Sequence, residues 1–183
     1  MDPEENAMRV VAGDARGRPL QTPPGLTTRP TSDRVRESVF NMLYSLHVVE
    51  DANVLDLYAG CGALGIEALS RGASHATFVE QDRRAVQSIE KNLAALAMSS
   101  RATVIRADVL GWIAATQTEF DLALVDPPYA LDNWEEILSG VDARMIVAES
   151  NGHLQETKGW DVVRDKEYGT TVITVLRRTG DCL

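Results

Sequence analysis

The segment Asp126-Pro127-Pro128-Tyr129 ends an apolar run that has the composition of a buried strand. Each proline fixes φ and lacks a backbone N–H, so the chain leaves the strand with carbonyl oxygens that point outward. A carboxylate beside such a carbonyl can accept both protons of an exocyclic amino group, and Tyr129 offers a ring on which a base can stack. The segment favours chemistry on an amino nitrogen. A rigid strand-to-loop turn with a partly buried tyrosine is the structural alternative.

A glycine-rich segment follows an earlier apolar run. Gly60, Gly62 and Gly65 have the spacing G-x-G-x-x-G, and Ala59 precedes them. This spacing indicates a tight turn, close approach of a ligand to the backbone and a helix packed on the strand. NAD enzymes, flavin enzymes and methyltransferases all use such loops, and a turn without a ligand is a further alternative.

Three carboxylates lie inside, at the end of, or just after successive apolar runs. Asp56 lies inside the first run, where it suits a cationic group such as the ammonium of S-adenosylmethionine. Glu80 closes the second run, where a carboxylate can accept hydrogen bonds from both ribose hydroxyls. Asp108 follows the third, where it can accept from an adenine amino group or simply cap a helix. Together they predict a cofactor site at the carboxyl edge of a parallel sheet.

The elements that must position these residues are indicated by the apolar pattern. Two extended runs at 8–12 and 18–22 predict a hairpin, and a helix is expected to begin at Thr31 or Ser32. From residue 53, apolar strands alternate with helical segments, which is typical of a parallel sheet covered on both faces. The segment 159–178 predicts a closing antiparallel pair. We therefore expect an α/β fold in one compact unit, with an extension at 1–50 and a core at 51–183.

The charge of the chain is unevenly distributed. The net charge is −9, yet residues 8–36 carry six arginines against Asp14 and Asp33. A basic segment on an acidic body suggests contact with phosphate, although a solvated surface is the simpler alternative.

Other features of the composition exclude several classes of protein. No apolar run approaches the length of a membrane span, and the N-terminus lacks the apolar core of a secretory signal. Two cysteines, Cys61 and Cys182, predict a reducing cytoplasm rather than a disulfide framework. The three histidines have no metal-binding spacing, so no metal is expected.

The sequence resembles a known family of enzymes. A [D/N]-P-P-[Y/F] segment after the fourth strand is typical of S-adenosylmethionine-dependent amino-methyltransferases. The stretches "RPTSDRVRESVFNML" (29–43) and "VLDLYAGCGALGIEALSRGA" (54–73), with "DPPY", resemble the bacterial RsmD family, and so does the opening "RVVAGDARGRPL". That family methylates N2 of a guanine in 16S ribosomal RNA. The resemblance implies a Rossmann-like class I fold with a seven-stranded, mostly parallel sheet.

The resemblance also implies roles for individual residues. Asp126 and the Pro127 carbonyl would orient the amine, with Pro128 completing the turn and Tyr129 stacking on the base. The segment 29–37 would fold over the methionine end of S-adenosylmethionine, which adds Thr31 and Arg34 to the cofactor site. The expected RNA contacts are Arg9, Arg16, Arg18, Arg29 and Arg36. For Arg34 and Arg36, pairing with Asp33 and Glu37 on a solvated face is an equally good interpretation.

Two other functions remain open at this stage. One is methylation of a different amino group, in DNA adenine or cytosine or in a protein glutamine. The other is a non-catalytic, cofactor-binding module of ribosome assembly. The favoured partner is 16S rRNA within a 30S particle, because the basic segment is too small to hold free RNA at physiological salt. A monomer is expected.

Overall fold

The structure is a computed structural model that describes residues 8–23, 33–128, 133–154 and 158–181. The helices are α1 (Asp33–Ser45), α2 (Ala63–Ser70), α3 (Arg83–Ala95), α4 (Val109–Ala115) and α5 (Trp134–Gly140). The strands are β1 (Asn53–Leu57), β2 (His75–Glu80), β3 (Ala102–Arg106), β4 (Phe120–Val125), β5 (Ala143–Ser150), β6 (Trp160–Tyr168) and β7 (Thr171–Arg178). None of these helices is long and apolar enough to cross a membrane.

The strands form one seven-stranded sheet in the order β3-β2-β1-β4-β5-β7-β6. The first five of these are parallel, and β7 pairs antiparallel with both β5 and β6. This confirms the expected fold, including the closing antiparallel pair. The strand order reverses direction between β1 and β4, and ligands bind at such switch points in open α/β sheets.

Two apolar clusters cover the two faces of the sheet. Alternate side chains of β1 enter different clusters: Val54 packs with the hairpin and helices α1, α2 and α3, whereas Leu55 and Leu57 pack with α4 and α5. Because the central strands are buried on both faces, their apolar runs are nearly continuous, as parallel strands require.

The N-terminal extension packs against the helix layer rather than extending the sheet. Its hairpin is closed by a bridge between Arg9 and Pro19 and by hydrogen bonds between the two runs. The turn of the hairpin lies against the last turn of α2, where the Asp14 N–H donates to the Ser70 carbonyl at 2.8 Å. The predicted hairpin is thus present, while the division of the chain near residue 50 stays a prediction.

The register of the parallel strands brings the predicted site residues to one edge. Leu57 at the end of β1 lies opposite Val79 of β2 and Val125 of β4. Glu80 lies opposite Arg106 at the end of β3. The residues that follow these strands therefore meet at the carboxyl edge of the sheet.

Candidate active site

The glycine loop connects β1 to α2, and each glycine has its own structural reason. Gly60 and Gly62 have φ values of +57° and +82°, in the left-handed region that side chains disfavour. Gly65 lies inside α2, where an added Cβ would come within 2.3 Å of the Phe78 ring. At Gly60, by contrast, an added Cβ would meet nothing nearer than 4.0 Å. The loop therefore has open space beside Gly60, where a ligand can approach the backbone.

Asp56 supports the glycine loop from within the sheet. Its side chain is only 1% exposed, and its carboxylate accepts a 2.8 Å hydrogen bond from the Gly65 N–H. Burial raises the pKa of Asp56 well above its usual value; the Gly65 amide opposes this, and the charges of Asp126 and Glu80 raise it further. The strand register brings the three carboxylates to the same edge, because Glu80 follows Val79 and Asp126 follows Val125, the two partners of Leu57. Contact of Asp56 with a cofactor ammonium stays a prediction.

Glu80 connects β2 to the same loop. One carboxylate oxygen accepts from the Gly60 N–H at 2.9 Å, and the other accepts from the Asp82 N–H at 2.8 Å. Each oxygen has a second lone pair, so the carboxylate can still accept bonds from a ligand. The arrangement is compatible with the predicted ribose contact, and it also fixes the orientation of the side chain.

Asp108 has the capping role that was the alternative interpretation. It is the N-cap of α4, and its carboxylate accepts from the Gly111 N–H at 2.9 Å. Burial raises the pKa of Tyr58, and the charges of Asp108 and Glu136 raise it further. The adenine contact of Asp108 stays a prediction.

Tyr58 is a site residue that the sequence interpretation missed. It follows β1 directly, next to Ala59 and Gly60, and its φ of +59° lies in the left-handed region, which is rare for an aromatic residue. Unusual backbone of this kind is concentrated at functional sites. The available signal was an aromatic residue between a strand and the first glycine of the loop.

The proline turn leaves β4 beside the glycine loop. Asp126 is partly buried, Pro127 is buried and Pro128 is exposed. Asp126 is close enough to Asp56 to raise its pKa. Tyr129 lies outside the described residues, so its stacking role stays a prediction. The structure thus brings one end of the proline turn to the cofactor loop, as the sequence predicted.

The arginines of the extension have different surroundings. Arg9, Arg16 and Arg18 are exposed on the hairpin, with Arg9 paired to Asp33 at 3.0 Å and Arg18 donating to the Ala95 carbonyl at 2.9 Å. Arg34 is exposed on α1. The predicted residues Arg29 and Thr31 lie outside the described residues.

Arg36 requires a correction. It was expected on the surface, either at the RNA or on a solvated face, but its side chain is 0% exposed. It donates to the Arg9 carbonyl and to Asp33, and its Nε lies 3.9 Å from the Glu67 carboxylate. A buried guanidinium in this position holds α1 and the hairpin to α2, so the side chain is not available to an RNA strand.

The buried carboxylate of Glu67 explains the position of Arg36. Glu67 is 0% exposed on α2, and it accepts from the backbone N–H groups of Val11 at 2.7 Å and Ala12 at 2.9 Å. It also pairs with Arg71 at 2.7 Å. Sequence reasoning missed this residue, although a single charge within the otherwise apolar helix "ALGIEALS" was an available signal.

The described residues contain no cluster of three or more histidine, cysteine or acidic side chains arranged to hold a metal ion. The carboxyl edge instead combines backbone N–H groups with three neighbouring carboxylates. This donor set suits a ligand with hydroxyl groups and a positive charge, and the open space beside Gly60 can admit it.

Comparison with known proteins gives consistent matches over nearly the whole chain. Residues 8–177 match the family described as Conserved hypothetical protein 95. The chain is 37% identical to ribosomal RNA small subunit methyltransferase D of Escherichia coli K12, over 93% of this chain and 90% of that protein. It is 38% identical to "Putative rRNA methyltransferase YlbH" of Bacillus subtilis, over 94% of this chain and 100% of that protein.

A solved structure shows the same likeness. "Putative methyltransferase yhhF from Escherichia coli" superposes with a TM-score of 0.83 at 37% identity, covering 94% of this chain and 98% of that one. The likeness includes both the extension and the sheet, since so little of either chain is left out.

Proposed function

The chain belongs to the family described as Conserved hypothetical protein 95, the RsmD methyltransferases, and on this premise we propose that it methylates the exocyclic N2 amine of a guanine in 16S rRNA with S-adenosylmethionine. The proposal rests on one observation: Asp56, Glu80 and Asp126 lie together beside the glycine loop. One group of residues serves a cationic nucleoside cofactor, and the proline turn beside it serves an amine.

Residues of the glycine loop and its neighbours hold the cofactor. The backbone from Ala59 to Gly62 would contact it, Glu80 would accept from the ribose hydroxyls, and Asp56 would attract the ammonium. Asp108 would accept from the adenine amino group, and Thr31 and Arg34 would serve the methionine end. When bound, S-adenosylmethionine supplies a methyl group already activated on a positively charged sulfur.

Because the methyl donor is already activated, the protein acts mainly by positioning the amine. Asp126 accepts one N–H of the guanine amine and the Pro127 carbonyl accepts the other, which draws the nitrogen lone pair out of conjugation. Pro128 keeps the turn rigid, and Tyr129 stacks on the base after it has been flipped from its RNA context. The proton of the amine leaves to Asp126 or to water.

The substrate surface is the extension. Arg9, Arg16 and Arg18 lie exposed on the hairpin, and Arg29 precedes α1; these four are the proposed RNA contacts. With a net charge of −9 on the whole chain, so few basic residues are insufficient to hold naked RNA at physiological salt. We therefore expect a monomer that acts in the cytoplasm on an assembled or assembling 30S particle.

A transfer assay tests the proposed function. Small subunits from cells lacking the gene are incubated with the protein and tritiated S-adenosylmethionine, and the labelled nucleoside is identified. We expect label in N2-methylguanosine of the subunit RNA, with naked RNA a poorer substrate. Label in DNA or in protein glutamine would favour another amino-methyltransferase, and no label in any of them would favour a non-catalytic module.

A further inference from the structure

Asn92 of α3 is a buried polar side chain whose hydrogen bonds connect two functional regions. It is 2% exposed, and its amide oxygen accepts from the Gln21 N–H at 2.8 Å. Its amide nitrogen donates to the Gln21 carbonyl and to the Cys61 carbonyl, each at 3.0 Å. Both amide protons and the oxygen are therefore used.

The two partners of Asn92 belong to different parts of the site. Cys61 lies between Gly60 and Gly62 in the glycine loop. Gln21 lies in the second run of the hairpin, shortly before the segment that leads to α1. A single buried amide thus joins the backbone of the loop to the backbone of the extension, and a shift of either end leaves a buried polar group without its partner.

A second anchor holds the hairpin without touching the glycine loop. Glu67 accepts from the N–H groups of Val11 and Ala12, so it fixes the first run of the hairpin to α2. Among the described residues, Asn92 bonds the loop backbone to the second run, whereas the thiol of Cys61 reaches the first run at the Met8 sulfur, 3.2 Å away. Displacement of the loop is thereby transmitted to the second run of the hairpin.

We propose that Asn92 is a positioning residue that couples cofactor binding to RNA binding. Cofactor in the glycine loop fixes the Cys61 carbonyl, which holds Asn92 and hence Gln21, so that the extension is ordered for the RNA. The coupling rests on the proposed function, because it treats the extension as the substrate surface. By linkage, bound RNA tightens cofactor binding by the same factor.

The first test uses amide hydrogen exchange, with S-adenosylhomocysteine as the probe and no RNA. The Leu20 amide is the reporter, because it lies beside Gln21 in the second run and its acceptor, the Met8 carbonyl at 2.7 Å, is retained in every variant. We expect the probe to slow exchange at Leu20 by about fivefold in the wild type and by less than about twofold in Asn92→Ala. An equal response in both proteins overturns the proposal.

Two further variants separate coupling from simple damage to the fold. Ser88→Ala, one turn earlier on α3, removes a buried hydroxyl that donates only to the Arg84 carbonyl of the same helix. It should keep the wild-type response. Gln21→Pro, at an exposed position, removes the N–H donor to Asn92 and keeps the carbonyl acceptor, so it should weaken the response. A full wild-type response in Gln21→Pro would count against this connection.

The second test measures binding to unmethylated small subunits with and without S-adenosylhomocysteine. We expect the probe to increase the affinity of the wild type and of Ser88→Ala by about fivefold, and that of Asn92→Ala by less than about twofold. A general loss of stability would weaken both affinities and leave their ratio unchanged. A wild-type ratio in Asn92→Ala therefore overturns the proposal.

Failure of the coupling can be distinguished from failure of the proposed function. If the wild type neither labels nor binds small subunits, the proposed function fails, whereas the exchange of Leu20 still reports on Asn92. If the wild type labels them and Asn92→Ala matches it in both exchange and affinity ratio, only the coupling fails.

Discussion

The glycine loop and the proline turn lie at the same edge of the sheet, but they are held in different ways. The loop is fastened by hydrogen bonds from other elements: Glu80 to Gly60, Asn92 to Cys61, and Asp56 to Gly65. The proline turn follows β4 with two residues that have no N–H to donate. The proline rings fix the φ angles of these two residues.

The cofactor half and the acceptor half of the site therefore depend on the rest of the protein in different ways. The cofactor half is held by side chains that belong to β1, β2 and α3. The described part of the acceptor half, Asp126 to Pro128, is shaped by the φ angles of its two prolines. Substitutions at a distance should therefore affect cofactor affinity, whereas substitutions in the turn should affect turnover.

The largest expected effect on cofactor affinity is that of Gly65→Ala. The added methyl would meet the buried Phe78 ring at 2.3 Å and lie 3.0 Å from the Asp56 carboxylate. Overpacking of about 1–3 kcal/mol would displace α2 and the loop, so we expect a loss of roughly tenfold to a hundredfold in affinity for S-adenosylhomocysteine. Calorimetric titration measures it.

Gly152→Ala is the matched control for that variant. The same methyl at Gly152 meets nothing within 4 Å, so the affinity should stay at its wild-type value. If Gly65→Ala binds the cofactor product as tightly as Gly152→Ala does, the packing at Gly65 is not what builds the loop.

Pro127→Ala should have an intermediate effect, and it should change turnover rather than cofactor affinity. The substitution restores an N–H and frees φ, so the Pro127 carbonyl loses its fixed direction while the glycine loop is untouched. We expect kcat to fall about tenfold and the free energy of unfolding to change by no more than about 1 kcal/mol. Steady-state kinetics on small subunits, together with cofactor affinity, would measure both. A fall in affinity comparable to the fall in kcat would remove the contrast between the two loops.

The smallest expected effect is a pH dependence of cofactor affinity that comes from Asp56. Burial raises the pKa of this carboxyl in the free protein, and a cationic ligand lowers it, so binding releases a proton. Affinity for S-adenosylmethionine should therefore increase as pH rises through the raised pKa and decrease on acidification, by about threefold per pH unit. Asp56→Asn keeps an acceptor for Gly65 and should flatten the profile. An unchanged profile in that variant would assign the pH dependence to another group.

The parts that were predictable from the sequence were those that depend on local pattern. The alternation of strands and helices predicted a parallel sheet. Because parallel strands end at one edge of a sheet, Asp56, Glu80 and Asp126 were expected to lie at that edge. The glycine spacing located the loop for the same reason. The structure confirms the convergence of these residues.

The parts that were not predictable depend on long-range pairing. Arg36 has the spacing of a surface residue, and only its buried partner Glu67, far along the chain, places it inside. Asn92 resembles any polar residue of a helix, since its partners Gln21 and Cys61 come from segments with no local relation to it. The sequence allows Asp108 to be a helix cap or a cofactor contact. Its capping bond from the Gly111 N–H becomes visible only in the folded structure.

The central claim is that the proline turn carries the chemistry, and Asp126→Ala tests it most directly. Turnover on small subunits and affinity for S-adenosylmethionine are measured together, with Asp121→Ala as control. Asp121 is the second residue of the same strand, at the opposite edge, where it accepts from the Asn53 N–H at 2.9 Å. We predict that Asp126→Ala loses about a hundredfold or more in kcat while its cofactor affinity stays within about twofold of the wild type. Wild-type turnover by Asp126→Ala, with cofactor affinity unchanged, would contradict the claim.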